Sequence, residues 1–598
     1  MIADVIPMTK HKAQPHDSIS GESGTFTIKP EGVFYTGFDK EGKPLPEKRI
    51  CSPLRVTAKT AGESANHGVL LEWREIKGKK TITRKWAVPR KHMLGDGLEF
   101  LRELEDQGVT INVGKEKKVL EYLRSSETDV FINSVIKVGW NGDDDNPVFV
   151  TPSRIFGSEA ESFIYQPEQK PNHHMAESGT LEEWRQHVAR YAAGSSRLVH
   201  SISTGFSGGL LFLASNQVDG GGIHFHGESS IGKSITLAVA ASLHGRGGKV
   251  NDPRTHIRKW AATATAIEIT ASLHNDMCLF LDELGECDEK QAAKIPYMLG
   301  NGAGKERGNK SLSNRPVNTF RLRFISNGEY TLEEHLRKKG IAVAAGQELR
   351  MRNIAADAGA GMGIIEELHG FATSRELAEH IVNQTAKYYG TAGVAWHEYI
   401  TKHHEQIREF IPGAIREFKK KVVPENATSQ VHRAGNSFAL EAIAGELATK
   451  AGITGWTEGE ATQAATRCFN DWLAEFGGAN GENREMVKIQ ESVRAFLEGN
   501  AARFLDLDAV DAAEERAMRG NYEATPPKPV PNQVGCIRSG RYIVLASQID
   551  HLCKDAGGKN IVKAIRAAGW LIESKTMRLP LQSGKPRVHI ISFDNEED

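Results

Sequence analysis

The chain has 598 residues, 39% hydrophobic and 25% charged, a globular composition long enough for roughly three to five domains of about 100–200 residues each. Its 75 lysines and arginines nearly cancel its 76 aspartates and glutamates, leaving a formal net charge of -1. That balance excludes a uniformly basic nucleic-acid coat and confines any such site to a local patch. The six cysteines are scattered with no C-x-x-C pair, which argues against a zinc ribbon or a disulfide framework and fits a reducing cytosol. The opening residues lack the apolar stretch of a signal peptide, and no run of about 18 apolar residues predicts a membrane span, so a cytoplasmic protein is expected.

In chain order, residues 1–22 are polar and read as a flexible tail. Residues 23–165 carry alternating strand patterns broken by turns, with a hairpin around Asn141-Gly142 and helical patterns near 97–107 and 115–125, predicting a β-rich N-terminal domain. Residues 166–220 are a linker and helical lead-in, with a helix capped at Ser178–Thr180. Residues 221–372 alternate strand and helix patterns, as an α/β core does. Residues 373–500 are mostly helical. The segment "ATPPKPVPNQ" is an extended connector inside the last unit, residues 501–598.

The chemistry begins at Gly227-Glu228-Ser229-Ser230-Ile231-Gly232-Lys233-Ser234, which fits G-x-x-x-x-G-K-S/T at every fixed position. Glycines let backbone N–H groups curl toward phosphate oxygens, the following helix adds its positive end, and Lys233 supplies charge to the β- and γ-phosphates. Ser234 offers a hydroxyl to magnesium. ATP and Mg2+ are therefore the expected ligands. Downstream, "CLFLDEL" is a short apolar run, as in a strand buried on both faces, ending in Asp282-Glu283. Asp282 is placed to hold magnesium and Glu283 to polarise the attacking water. A third strand, "FRLRFISNGEY", ends at Asn327, where ring-forming ATPases put a polar residue that orients that water. Between these strands, residues 301–323 carry six basic residues (Lys305, Arg307, Lys310, Arg315, Arg321, Arg323) and one acidic residue (Glu306) among Gly, Asn and Ser. They suggest a projecting hairpin that grips a phosphodiester backbone, with Lys305, Arg307, Lys310 and Arg315 as the contacts; a plain solvated loop is the alternative.

Together with "GQELRMRNIAADAG" and "FALEAIAGELATKAGITGW", these motifs resemble, from about residue 24 onward, the bacterial, phage and mobile-element family catalogued as domain of unknown function 927. Members on mobile elements resemble self-loading replicative helicases whose core is similar to the AAA+ module of minichromosome-maintenance helicases. The resemblance implies a multidomain α/β chain: a β-rich N-terminal domain, an AAA+ P-loop core with a helical lid, and a C-terminal winged-helix-like domain. It implies a homo-oligomer, a hexamer first of all, on single- or double-stranded DNA, with other replication proteins as further partners. It puts an arginine finger at Arg350, with Arg352 as the alternative, and a second-sensor arginine at Arg433. A nucleotide-dependent oligomerising switch that does not unwind DNA is the competing function.

The last unit reads as strand, helix 547–556, Gly-Gly turn, helix 559–568 and a two-stranded wing, with Lys559, Lys563, Arg566, Lys575, Arg578, Lys585 and Arg587 on the second helix and wing. DNA and protein contacts are equally open for it. His224 and His226 alternate on a strand, while His173-His174 and His403-His404 are adjacent pairs without i,i+4 ligand spacing, so no zinc site is expected.

Overall fold

The computed structural model describes residues 17–63, 65–77, 80–168, 173–304, 318–339, 341, 345–476, 484–519, 530–554, 558–579 and 585–593. Lys305, Arg307, Lys310 and Arg315 lie outside the described residues.

The N-terminal part is two sheets around one apolar core. Ser18–Ser20, Gly24–Lys29, Gly32–Gly37 and Lys48–Cys51 form an antiparallel sheet in chain order. Alternate residues of the second strand are buried, so Phe26 and Ile28 face inward. The strand at Ser18–Ser20 falls in the stretch expected to be a tail; its Ile19 packs on this core, which is what recruits it. A second, five-stranded sheet runs Phe163–Tyr165, Phe131–Val135, Leu54–Ala61, Gly68–Lys77 and Lys80–Pro89 in spatial order. The helices Leu98–Asp106 and Glu116–Ser125 close the core with Phe100, Leu101, Leu104, Tyr122 and Leu123.

Three short strands, Gly139–Asn141, Val148–Val150 and Ile155–Phe156, leave this domain and pack on the centre of the molecule. Trp140 donates its indole N–H to the Gly209 carbonyl (2.8 Å) and its backbone N–H to the buried Asp276 carboxylate (3.1 Å). Phe149 stacks on His397 with ring centroids 4.1 Å apart. Their side chains are apolar where they meet the central core, so burial ties them to it rather than to the sheets that precede them.

The centre is a five-stranded parallel sheet. Its strands in chain order are β1 (Gly221–His226), β2 (Arg258–Lys259), β3 (Cys278–Asp282), β4 (Arg323–Gly328) and β5 (Met351–Ala355). Their spatial order is β2-β3-β4-β1-β5, and every pairing is parallel. Helices are labelled where used: α1 (Ser196–Ser207) and α2 (Lys233–Ala241) cover the sheet, and α3 (Ser429–Lys450) and α4 (Glu460–Phe476) pack on α1 from the helical region behind it. β3 is apolar through its buried length and β1 is apolar but for the buried His224, as strands covered on two faces tend to be.

The C-terminal unit is a five-stranded sheet in the order Phe504–Asp506, Gly535–Arg538, Arg541–Leu545, Arg587–Ile591, Leu571–Thr576, backed by the helices Arg484–Gly499 and Gly558–Ala567. Within the helix expected at 547–556, Ala546–Leu552 is instead a 3-10 turn, with Ile549 and Leu552 buried in the unit's core. Gly558–Ala567 buries Ile561, Ala564 and Ile565 and leaves Lys559, Lys563 and Arg566 exposed.

A belt of buried histidines runs through the centre. His244 stacks on His397 (5.3 Å between centroids), and His256 lies 5.2 Å from His274. All four are buried. Burial depresses each imidazole: His244 to about 3, His274 to about 4, and His256 and His397 well below their ordinary value. Between pH 6.5 and about 4 the unfolded chain therefore binds more protons than the folded one, and stability falls with falling pH. Each pH unit in that window costs up to about 1.4 kcal/mol per such histidine. Thermal unfolding scanned from pH 7 to pH 4 is expected to show loss beginning near 6.5, above the carboxylate range; a flat profile down to pH 5 would contradict it.

Candidate nucleotide-binding site

The loop 227–232 leaves the C-terminal end of β1 and enters α2 at Lys233. Its backbone passes through left-handed conformations at Ser230 (φ 68°) and Gly232 (φ 95°), which turns the chain back over the helix start. Glu228, Ser229, Ser230 and Ser234 are exposed, and Gly227, Ile231 and Gly232 are half-buried. Lys233 is only 8% exposed. Its ammonium donates to the Gly227 carbonyl (2.8 Å) and the Glu228 carbonyl (2.5 Å), so the loop encloses its own lysine. Burial pushes that ammonium below its ordinary pKa, and Glu283, Glu329 and Asp282 pull it back.

The acidic pair stands at the end of β3, and β4 brings Asn327 alongside it. The Asn327 amide N–H donates to Asp282 Oδ1 (3.0 Å), and its carbonyl oxygen accepts the Glu283 backbone N–H (2.8 Å). One side chain thus fixes both acids. The Ser234 hydroxyl acts on the Asp282 carboxyl, opposing its rise, which links the loop to β3 electrostatically. Burial raises the Asp282 carboxyl, against the opposing Asn327 hydrogen bond. Glu283 sits at φ 55°, a strained backbone for a residue with a Cβ, and its carboxylate accepts the Gly285 N–H (3.1 Å). Burial raises it too, with Asp282 adding to the rise. Strained backbone and displaced carboxyl pKa values cluster at functional sites. The donor set suits a triphosphate with magnesium: backbone N–H groups and an ammonium for the phosphates, and a hydroxyl beside a carboxylate for a hard cation. Glu329, two residues beyond Asn327, also bears on Lys233 and Glu283; an acid just after the third strand was the only sequence signal for it.

His224, on β1, is a satisfied core histidine. Its ring nitrogens meet the Ser326 hydroxyl (2.8 Å) and the Tyr330 carbonyl (2.9 Å), and burial lowers its pKa to about 3.

The arginines singled out from the sequence lie at the other end of the sheet. β5 pairs with β1 from Gly222↔Met351 onward, so Arg350 stands at the strand starts, about 17 Å from the phosphate loop of its own chain. It donates to Asn301 Oδ1 (2.9 and 2.6 Å) and lies over the Tyr297 ring (4.3 Å). Arg433, on α3, donates to Asp219 Oδ2 (2.6 Å) and is largely exposed. Arg350, Arg433 and Arg321 line one cleft of about 740 Å³ with Asp219 and Asn301. Arg352, the alternative to Arg350, is 1% exposed and donates to both carboxylate oxygens of the buried Glu441 (3.1 and 2.5 Å), so it cannot reach another molecule. Gly304 N–H donates to the Asn318 carbonyl (2.9 Å), and Ala303 bridges Thr319.

No curated protein matches the chain. Among solved structures, the fold is similar to one titled "SCCmec type IV Cch - active helicase", at 15% identity with a TM-score of 0.65, covering 98% of this chain and 98% of that one. NtrX from Brucella abortus aligns with 40% of this chain and 46% of its own at 14% identity, but its TM-score of 0.16 gives that alignment no weight. Residues 26–319, from the N-terminal strands through the phosphate loop and β3, match the family described as Domain of unknown function (DUF927).

Proposed function

We propose that the chain is an ATPase of the AAA+ kind that assembles head to tail and moves DNA, as a helicase of a phage or mobile element. The observation that carries the reading is the convergence of Lys233, Ser234, Asp282, Glu283 and Asn327 at one end of a β2-β3-β4-β1-β5 sheet, with Arg350 and Arg433 exposed to a cleft at the other. The fold's likeness, along its whole length, to a structure titled as an active helicase supports it.

In this reading the backbone of 227–232 and Lys233 hold the β- and γ-phosphates. Magnesium, held by Ser234 and Asp282, supplies charge neutralisation at those phosphates. Glu283 accepts the proton of the attacking water, and Asn327 keeps Glu283 aimed. The missing element is a positive charge for the γ-phosphate on the open side. No arginine of the Arg350–Arg433 cleft can supply it within one chain, so a neighbour must. The charges suit such a contact: Asp282, Glu283, Glu286, Asp288, Glu289 and Glu329 crowd the phosphate-loop end, and Arg321, Arg350 and Arg433 the opposite cleft. Unlike surfaces that meet head to tail build closed rings when the rotation closes. A hexamer is the expected ring. The exposed Lys559, Lys563 and Arg566 of the winged-helix-like C-terminal unit offer a further DNA contact.

The test is ATP hydrolysis with and without single-stranded DNA, together with strand displacement on tailed duplexes. Hydrolysis is expected to rise with DNA, and the rise to fall steeply with salt. Changing Lys305, Arg307 and Lys310 together to Ala is expected to keep basal hydrolysis and lose the DNA response. Hydrolysis indifferent to any DNA, with no displacement, would make the protein a nucleotide-driven oligomerising switch instead.

A further inference from the structure

The segment after β5, "ADAGAGMGI" (residues 356–364), was given no role in the nucleotide site, yet it touches the phosphate loop. Ile364 N–H donates to the Ile231 carbonyl (3.1 Å). The two loops interlock through glycines. A Cβ on Gly363 (φ 66°) would stand 2.5 Å from the Ile231 oxygen, and one on Gly232 (φ 95°) 2.7 Å from Ile364 Cγ2. Neither position tolerates a side chain without separating the loops.

The other end of the segment is held by arginines. Arg467 of α4 donates to the Ala358 carbonyl (3.1 Å), and Arg197 of α1 donates to the carbonyls of Ala355 (3.1 and 3.0 Å) and Asp357 (3.2 Å). Both arginines meet the same Asp471 Oδ2, at 3.3 Å and 2.8 Å. Ala358 N–H closes the loop onto the Gly363 carbonyl (2.9 Å). A second tie runs in parallel: His226, the last residue before Gly227, reaches Glu475 of α4 (3.0 Å).

We propose that residues 357–364 are a nucleotide-responsive arm: docked on the phosphate loop at Gly363-Ile364 and held to α4 by the positioning residue Arg467, they carry the loop's occupancy into the helical region. The inference rests on the phosphate loop binding nucleotide. The reason for movement is local. Lys233 now serves the Gly227 and Glu228 carbonyls and must give them up to serve a phosphate, which reshapes the loop whose Ile231 carbonyl holds the arm. The route ends somewhere useful: α4 packs on α3, whose Glu441 grips Arg352, two residues from Arg350.

Hydrogen exchange of the full chain, with and without a non-hydrolysable ATP analogue and magnesium, reads the arm directly. In the wild type, nucleotide is expected to slow exchange in 227–234, 357–364 and 460–476. Arg467→Ala is expected to keep the first two effects, lose the third, and bind nucleotide within about threefold of wild type. Gly363→Ala is expected to weaken binding about tenfold or more. Gly361→Ala (φ 72°, with nothing within 4 Å of its Cβ) imposes similar backbone strain without the collision and is expected to change binding far less. Protection of 227–234 without any change in 460–476 of the wild type would overturn the arm and leave nucleotide binding standing. Equal effects of the two glycine substitutions would overturn the interlock. No protection of 227–234 at all would remove the nucleotide reading itself.

Discussion

Arg350→Ala is expected to lower ATP turnover by about 10³-fold or more, the scale of an arginine supplied in trans. Nucleotide affinity should stay near wild type, because the residue stands a full strand length from its own chain's phosphate loop. The decisive measurement is a mixture. Lys233→Ala alone and Arg350→Ala alone should both be inactive. Combined, they create interfaces in which the Lys233 of one chain faces the Arg350 of another, and part of the activity should return. A wild-type rate for Arg350→Ala would sink the shared site, and so would a mixture as inactive as its parts. The charge asymmetry adds a control: if acidic and basic ends meet, raised ionic strength should separate the copies and reduce turnover at low protein concentration. Arg433→Ala belongs in the same series, since that side chain lines the same cleft.

Glu283→Gln is expected to cost about 10²- to 10⁴-fold in kcat, the range for loss of a general base, with nucleotide still bound. Glutamine keeps the side-chain shape, and the Asn327 contact survives because it is made to the Glu283 backbone. The wild-type pH profile carries a second signature. Burial and the nearby Asp282 raise the Glu283 carboxyl above the ordinary carboxylate value. A base works ionised, so the rate should fall as pH drops through that raised pKa, higher than a solvent-exposed glutamate would give. The residual rate of Glu283→Gln should lack this limb. Wild-type turnover in the glutamine variant would remove Glu283 from the chemistry and leave Asp282 to be tested next.

The parts of the site written in contiguous letters were legible in the sequence. The loop 227–234 and the run ending in Asp282-Glu283 announce themselves by local pattern, because glycine placement and an unbroken apolar strand have local causes. The mixed α/β organisation was legible for the same reason. What depends on tertiary contact was not. Nothing near Arg433 in the sequence says that it faces Asp219 at the strand starts rather than the phosphate loop. Arg352 sits two residues from Arg350, and only Glu441, distant in sequence, tells the buried arginine from the accessible one. Arg467 and most of the arm at 357–364 lie outside the quoted motifs, since their proposed role comes from which carbonyls they meet. The strands at 139–156 read as part of the N-terminal domain, yet Trp140 and Phe149 spend their apolar surface on the centre. The 3-10 turn at Ala546–Leu552 shows the same limit at small scale.

The order of the central strands bears on what the matched family segment is. It ends at residue 319, after β3 and before β4. In space, however, β4 lies between β3 and β1, and β5 flanks β1 on its other side. A fragment cut at that boundary would leave β1, the stem of the phosphate loop, with neither neighbour, and would strip Asp282 and Glu283 of Asn327. The segment that the family model matches is thus smaller than the sheet on which the phosphate loop stands. Gene fusions, truncations or shuffled copies that respect only the recognisable boundary would inherit the motif without the machine, whereas a cut that respects the packing keeps 221–355 together with Trp140 and the helices α1, α3 and α4 that share its core.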